Sequence, residues 1–129
     1  MPLVEIYVSE QRSGAERKQL ADAVHRALVE TIGIPVDDRF QIVRALARED
    51  YIADANYFDL ARSDDFLVVR VTLRRGRSPD KKQALYRAIA DGAARAVGMH
   101  REDVLVVLHE NDAIDWSFGG GVAQYAPAD

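Results

Sequence analysis

The chain has 129 residues, of which 48% are hydrophobic and 29% are charged. This is the composition of one folded domain rather than of a disordered segment. The formal net charge of −4 argues against a protein that grips a nucleic-acid backbone, and the lack of cysteine excludes disulfides and thiolate chemistry. We expect a cytoplasmic protein without a membrane-spanning segment, because no basic region followed by a long apolar run opens the chain.

The first unit, residues 2–46, is predicted to be a strand, a helix and a second strand. Apolar residues alternate over Pro2–Val8, a pattern typical of a strand. A capping box begins the helix at Ser13, and Gly33 stands where a helix C-cap is expected. The second strand is predicted at Arg39–Leu46.

A second unit, residues 65–110, repeats the first at an offset of 65 residues. Ser78, followed by proline, is the predicted N-cap of its helix, and Gly98 is the predicted C-cap. Strands are predicted at Phe66–Leu73 and Asp103–His109. The repeat indicates that the two halves of the chain share one architecture.

These units predict an α+β fold for one domain, residues 1–129. Two strand–helix–strand units in succession form a four-stranded mixed sheet with both helices on one face. Residues 47–64 are the linker between them, and residues 111–129 are a turn or hairpin followed by a tail, with Trp116 and Phe118 expected as interface or core aromatics. The second face of the sheet is left open, so we expect a homo-oligomer to cover it.

The topology brings one set of chemically active side chains together. Pro2 opens the first strand and Asp38 precedes the second, and parallel neighbours begin at the same edge of a sheet. If a pseudo-twofold axis relates the halves, the end of the third strand places Arg75 and Arg77 beside Pro2. Phe40 is a candidate wall of the resulting pocket.

The repeat supplies an internal control for this pocket. Pro2 and Arg75 have no counterpart 65 residues away, where leucine and glutamate stand. Arg77 and Asp38 have counterparts of the same type, so a structural role is the alternative for them. Pro2 and Arg75 are therefore the sharper functional candidates.

Removal of Met1 would convert Pro2 into a free secondary amine. Terminal amines titrate near ~7.7–8.0, so such a group can act as an acid, a base or a nucleophile at neutral pH. Arg75 and Arg77, two positions apart, are suited to bind a substrate carboxylate with paired hydrogen bonds.

The sequence resembles the tautomerase superfamily, and within it the malonate semialdehyde decarboxylase-like and tautomerase-like proteins. The resemblance implies a trimer with an amino-terminal catalytic proline, Pro2, assisted by Asp38, and a carboxylate-binding pair, Arg75 and Arg77. Gly76 stands where the decarboxylase has proline. The matching segments are Met1–Leu3, Pro35–Gln41, Arg62–Asp65, Arg75–Ser78 and Asp115–Gly119.

The function that this resemblance implies is that of a cofactor-free enzyme acting on a small oxo-acid carboxylate. Decarboxylation of malonate semialdehyde is the first reading; keto–enol tautomerisation of a phenylpyruvate-type acid, and hydration or dehalogenation of an acrylic acid, are the alternatives. Neither a metal nor a cofactor is expected, and neither a nucleic acid nor a membrane is expected as partner. A non-catalytic, oligomeric small-molecule-binding domain is the rival from another class.

Overall fold

The computed structural model describes residues 2–126, so the expected removal of Met1 and the last three residues of the tail lie outside the described range. Two helices and four strands form in chain order. Their bounds are β1 Leu3–Ser9, α1 Gly14–Ile32, β2 Phe40–Leu46, β3 Leu67–Arg74, α2 Pro79–Val97 and β4 Val104–Asn111.

The two helices begin and end 65 residues apart, as the repeat predicts. The Ser13 hydroxyl accepts a hydrogen bond from the backbone N–H of Glu16, whose carboxylate returns to the Ser13 backbone, a complete capping box. Ser78 caps α2 in the same way through the backbone N–H of Lys81. Gly33, like its counterpart at the end of α2, adopts the left-handed conformation that ends a helix.

The sheet has the strand order β2-β1-β3-β4. β1 is parallel to β2 and antiparallel to β3, and β3 is parallel to β4. This four-stranded mixed sheet with two helices confirms the predicted fold class. It also brings the start of β1 next to both the start of β2 and the end of β3, the juxtaposition on which the predicted site depends.

The hydrophobic core lies between the sheet and the two helices. Alternate residues of the central strands are almost fully buried there, and both helices contribute leucines and isoleucines to the same cluster. The helices approach closely at Gly92, where an added Cβ would lie 3.2 Å from that of Ala23. The strand residues of this core are Val4, Ile6, Val8, Leu67, Val69, Val71 and Leu73.

The other face of the sheet carries exposed apolar side chains. Phe40 and Ile42 of β2 are 45% and 43% exposed, and Leu105 and Val107 of β4 are 37% and 38% exposed. Such a patch on a sheet face is typical of a surface that another protein chain covers. No helix in residues 2–126 is long and apolar enough to cross a membrane.

Two details at the strand ends differ from the sequence prediction and shape the site. β3 extends through Arg74 rather than ending at Leu73, and β4 continues to Asn111, because these two residues still pair across the ladder. The turn or hairpin predicted after residue 111 is present as an isolated antiparallel bridge between Gly119 and Val122.

Candidate active site

Pro2 lies at the meeting point of three strands. It is buried and directly precedes β1. Its neighbour Leu3 pairs with Phe40 of β2 on one side and with Thr72 of β3 on the other. Leu3 and these two partners line one cavity of about 390 Å³, so the residue that directly follows Pro2 lies on the cavity.

Aromatic side chains from the segment after β4 form the opposite wall. The Trp116 ring stacks on Phe118 with the ring centroids 5.4 Å apart, and Phe118 contacts Phe40 at the same distance. The indole N–H of Trp116 donates a 2.7 Å hydrogen bond to Asn111, which fixes the ring. The two aromatics of this segment, expected from the sequence at an interface or in the core, line the cavity together with Phe40.

The three arginines at the end of β3 and in the turn after it make different contacts. Arg75 is 60% exposed and forms a 2.8 Å ion pair with Asp112, which raises the pKa of Arg75. Arg77 is partly buried and donates to the backbone carbonyl of Arg74 at 2.7 Å, which closes the turn. Arg74 ends β3 on the same face as the cavity residue Thr72.

Tyr125 links these arginines to the cavity wall. Its ring meets Phe118 edge-on with a centroid separation of 5.4 Å. The guanidinium carbon of Arg74 lies 5.2 Å from the centre of the same ring, a cation–π contact. Burial raises the pKa of the Tyr125 phenol, Asp38 raises it further, and Arg74 and Arg77 lower it in part. The phenol therefore stays protonated at neutral pH and can donate a hydrogen bond.

Asp38 approaches the site from the turn before β2. Its backbone N–H donates to the Pro35 carbonyl at 3.1 Å, which anchors this turn. Its side chain is partly buried. Asp38, Arg74 and Arg77 all act electrostatically on the Tyr125 phenol, whereas Arg75, the other predicted arginine, pairs with Asp112.

The opposite end of the sheet is closed by the linker. Asp103, which the repeat equates with Asp38, is 6% exposed and accepts two hydrogen bonds from Ser63, at 2.6 Å from the backbone and 2.7 Å from the hydroxyl. Arg12, which it equates with Arg77, binds Asp65 with two hydrogen bonds. At this end of the sheet, the counterparts of Asp38 and Arg77 therefore form contacts that hold the linker to the fold.

Arg74 and Tyr125 were not predicted from the sequence as site residues. Arg74 was missed because its facing depends on one further residue of strand pairing. Tyr125 was missed because a run of glycines predicts a turn but does not tell where the following residue packs. Within residues 2–126, no group of three metal-ligating side chains is placed to hold a metal ion.

Two family models, both described as "Tautomerase enzyme", cover most of the chain. One matches residues 38–119 and the other matches residues 2–60. The chain belongs to the tautomerase family. A tautomerase relative, "Probable tautomerase YusQ" of Bacillus subtilis (strain 168), is 36% identical over 124 residues, which are 96% of this chain and 98% of the relative.

Solved tautomerase-fold structures match almost the whole chain. A crystal structure of FG41 malonate semialdehyde decarboxylase inhibited by 3-bromopropiolate superposes with a TM-score of 0.91 at 40% identity, and it covers 95% of this chain and 93% of that one. A fused 4-OT wild-type symmetric trimer superposes with a TM-score of 0.78 at 26% identity, over 93% and 94% of the two chains. The neighbours of this tautomerase therefore include an enzyme that decarboxylates and a trimeric assembly.

Proposed function

We propose that the chain is a cofactor-free enzyme in which the freed Pro2 nitrogen acts on a small oxo-acid carboxylate, with malonate semialdehyde as the best candidate substrate. The observation that supports the proposal is that Pro2 is buried and directly precedes Leu3, which lines an aromatic-walled cavity at the sheet edge where β1, β2 and β3 meet. The 40% identity to a malonate semialdehyde decarboxylase supports this choice of substrate.

The arrangement supports a reaction in two steps. Guanidinium groups of the 74–77 turn bind the carboxylate. The Pro2 nitrogen then follows one of two routes: in its protonated form it donates a hydrogen bond to the aldehyde oxygen, or in its neutral form it attacks the aldehyde carbon, and loss of the oxygen as water leaves an iminium. The bond between the carboxylate carbon and C2 then breaks, and its electron pair moves toward the activated carbonyl carbon. Carbon dioxide leaves, and the resulting enol or enamine takes a proton at C2 to give acetaldehyde, after hydrolysis in the iminium case.

Asp38 and the cavity wall each have a part in this chemistry. A carboxylate beside the amine raises the amine's pKa and keeps it protonated, the state in which it donates a hydrogen bond to the aldehyde oxygen. The ring surfaces of Trp116 and Phe118 exclude water from the reacting carbons, which strengthens the hydrogen bonds and ion pairs made there. Arg75, the sequence's candidate for carboxylate binding, would first have to leave Asp112.

Keto–enol tautomerisation is the second candidate, favoured by the name of the YusQ relative. In that reaction a neutral Pro2 nitrogen would take a proton from carbon and return it to oxygen, and the arginines would stabilise the enolate. Decarboxylation by the hydrogen-bonding route and tautomerisation require opposite protonation states of Pro2. A titration of the terminal nitrogen by NMR therefore separates them, since a high pKa supports decarboxylation and a low one supports tautomerisation.

The substitution Pro2→Ala tests the proposal directly. We expect turnover to fall by at least ~10²-fold, because general acid–base groups typically contribute ~10²–10⁴-fold. The assay covers malonate semialdehyde, phenylpyruvate and an acetylenic 2-oxo acid, and circular dichroism with light scattering checks that folding and assembly are unchanged. Activity equal to wild type would refute the role of Pro2, and a wild-type protein that binds but never converts these acids would favour the binding-domain alternative.

We also propose that the protein is a homotrimer in the cytoplasm. The exposed apolar sheet face and the trimeric fused 4-OT neighbour support the assembly.

A further inference from the structure

The chain reverses direction immediately after the cavity wall. Gly119, Gly120 and Gly121 have φ values of 147°, 69° and 70°, in the region that favours glycine. The backbone N–H of Val122 returns to the Gly119 carbonyl at 3.5 Å. The reversal directs the following residues back toward Phe118.

The side-chain amide of Gln124 forms two hydrogen bonds across this turn. Its Oε1 accepts a 2.9 Å hydrogen bond from the backbone N–H of Phe118, and its Nε2 donates a 3.0 Å hydrogen bond to the carbonyl of Gly119. Only an amide side chain supplies an acceptor and a donor in this geometry. Gln124 therefore ties the tail to the aromatic wall of the cavity.

The next residue, Tyr125, depends on this attachment for its place. Its ring contacts Phe118 and Arg74, and its phenol lies in the electrostatic field of Asp38 and Arg77. A carboxylate bound by the arginines would meet a neutral phenol as a further hydrogen-bond donor.

We propose that Gln124 is a positioning residue of this site, which holds the Tyr125 hydroxyl where it donates a hydrogen bond to the substrate carboxylate. The substrate class rests on the proposed function, but the placement of Tyr125 does not. The structural basis is the pair of hydrogen bonds across the glycine turn together with the ring contacts of Tyr125.

Binding of malonate, an unreactive dicarboxylate, tests the proposal without turnover. Trp116 is the single tryptophan of the chain and lines the cavity, so its fluorescence reports occupancy. We expect Tyr125→Phe to raise the Kd for malonate roughly tenfold, the usual effect of losing one hydrogen bond to a charged group. Gln124→Ala should raise it similarly, while Gln83→Ala on the exposed surface of α2 should not.

The double variant distinguishes positioning from general stability. If Gln124 acts through Tyr125, the double variant Gln124→Ala/Tyr125→Phe has nearly the same Kd for malonate as Tyr125→Phe alone. Gln124→Glu retains the acceptor for Phe118 but loses the donor to Gly119, so its Kd should lie between those of wild type and Gln124→Ala.

Alkaline titration of tyrosinate absorbance provides a second readout. The wild type should show a tyrosine ionisation above the ordinary pKa of ~10 that Tyr125→Phe removes. Gln124→Ala should shift that ionisation down toward the ordinary value, because the freed tail exposes the phenol to water. A purely structural role for Gln124 would lower thermal stability without moving this ionisation.

The failures of the two proposals are distinguishable. Three results would each overturn the positioning role, whatever Pro2→Ala does to turnover. They are a Gln124→Ala variant that binds malonate as tightly as the wild type, a Gln124→Ala variant whose tyrosine ionisation does not move, and a wild type that does not bind malonate. If the Kd values of the single and double variants are as expected while Pro2→Ala leaves turnover unchanged, the positioning role stands and the proposed role of Pro2 fails.

Discussion

At the scale of single residues, strand periodicity decides which arginine of the 74–77 turn faces the cavity side of the sheet. Side chains alternate between the faces of a strand, so one further residue of pairing decides whether Arg74 faces the cavity side or belongs to the turn. The pairing of Arg74 with Asn111 settles this. Arg75, next along the chain, is directed to Asp112 instead.

Alanine substitutions of these neighbours test the difference. We expect Arg74→Ala to raise the KM for the oxo acid by about 10-fold or more, because a charge-assisted hydrogen bond is worth roughly 1.5–3 kcal/mol. Arg75→Ala should change KM by less than about threefold, since it removes an exposed ion pair. Steady-state kinetics of both variants decide the matter, and the reverse order of effects would return the carboxylate-binding role to Arg75.

Much of the site was predictable because it follows from topology. The strand order puts the start of β1 next to the start of β2 and the end of β3, and the repeat made the two strand–helix–strand units visible. Tyr125 was not predictable, since its position depends on the two hydrogen bonds of Gln124 rather than on any periodic pattern.

At the scale of elements, the two ends of the sheet use similar residues for different purposes. The caps and bounds of both helices were predictable from serine, proline and glycine at equivalent positions. The role of the linker was not, because the contact of Ser63 with Asp103 joins residues 40 positions apart. That contact closes the end of the sheet that lacks the proline.

Substitution of the equivalent aspartates separates structure from catalysis. We expect Asp103→Asn to lower the free energy of unfolding by ~1–3 kcal/mol, because it disrupts a buried, doubly hydrogen-bonded carboxylate. The corresponding change in Tm is several degrees, and kcat below that temperature should stay near wild type. Asp38→Asn should show the opposite pattern, with a reduced kcat and a small change in Tm.

Calorimetry and kinetics on the two variants provide the comparison. If Asp103→Asn lowers kcat as strongly as Asp38→Asn does, the two ends of the sheet are not functionally distinct and the assignment of the site to one end is wrong.

At the scale of the whole molecule, the open sheet face connects assembly with the site. Its apolar residues Phe40 and Ile42 lie on the strand whose first residue lines the cavity. A partner chain that covers this face would therefore also shield the cavity from solvent. The sequence indicated that the face needs a cover, but only the sheet order shows that cavity and face are continuous.

Light scattering tests the assembly. We expect the wild type to have about three times the protomer mass of 14.4 kDa. Val107→Asp, which adds a charge to the covered face, should produce smaller species, because an unpaired charge is costly to bury. Arg87→Asp on the exposed side of α2 is the matched control and should leave the mass unchanged. A wild-type monomer would contradict the proposed trimer.

The central claim is that a free Pro2 nitrogen performs the chemistry, and blocking that nitrogen tests it most directly. A variant with glutamate inserted between Met1 and Pro2 keeps Pro2 inside a peptide bond, and mass spectrometry verifies the terminus of both proteins. We expect the wild type to begin at Pro2 and to turn over its oxo acid, and the blocked variant to lose turnover while it folds and binds malonate. Equal turnover by the blocked variant would contradict the claim.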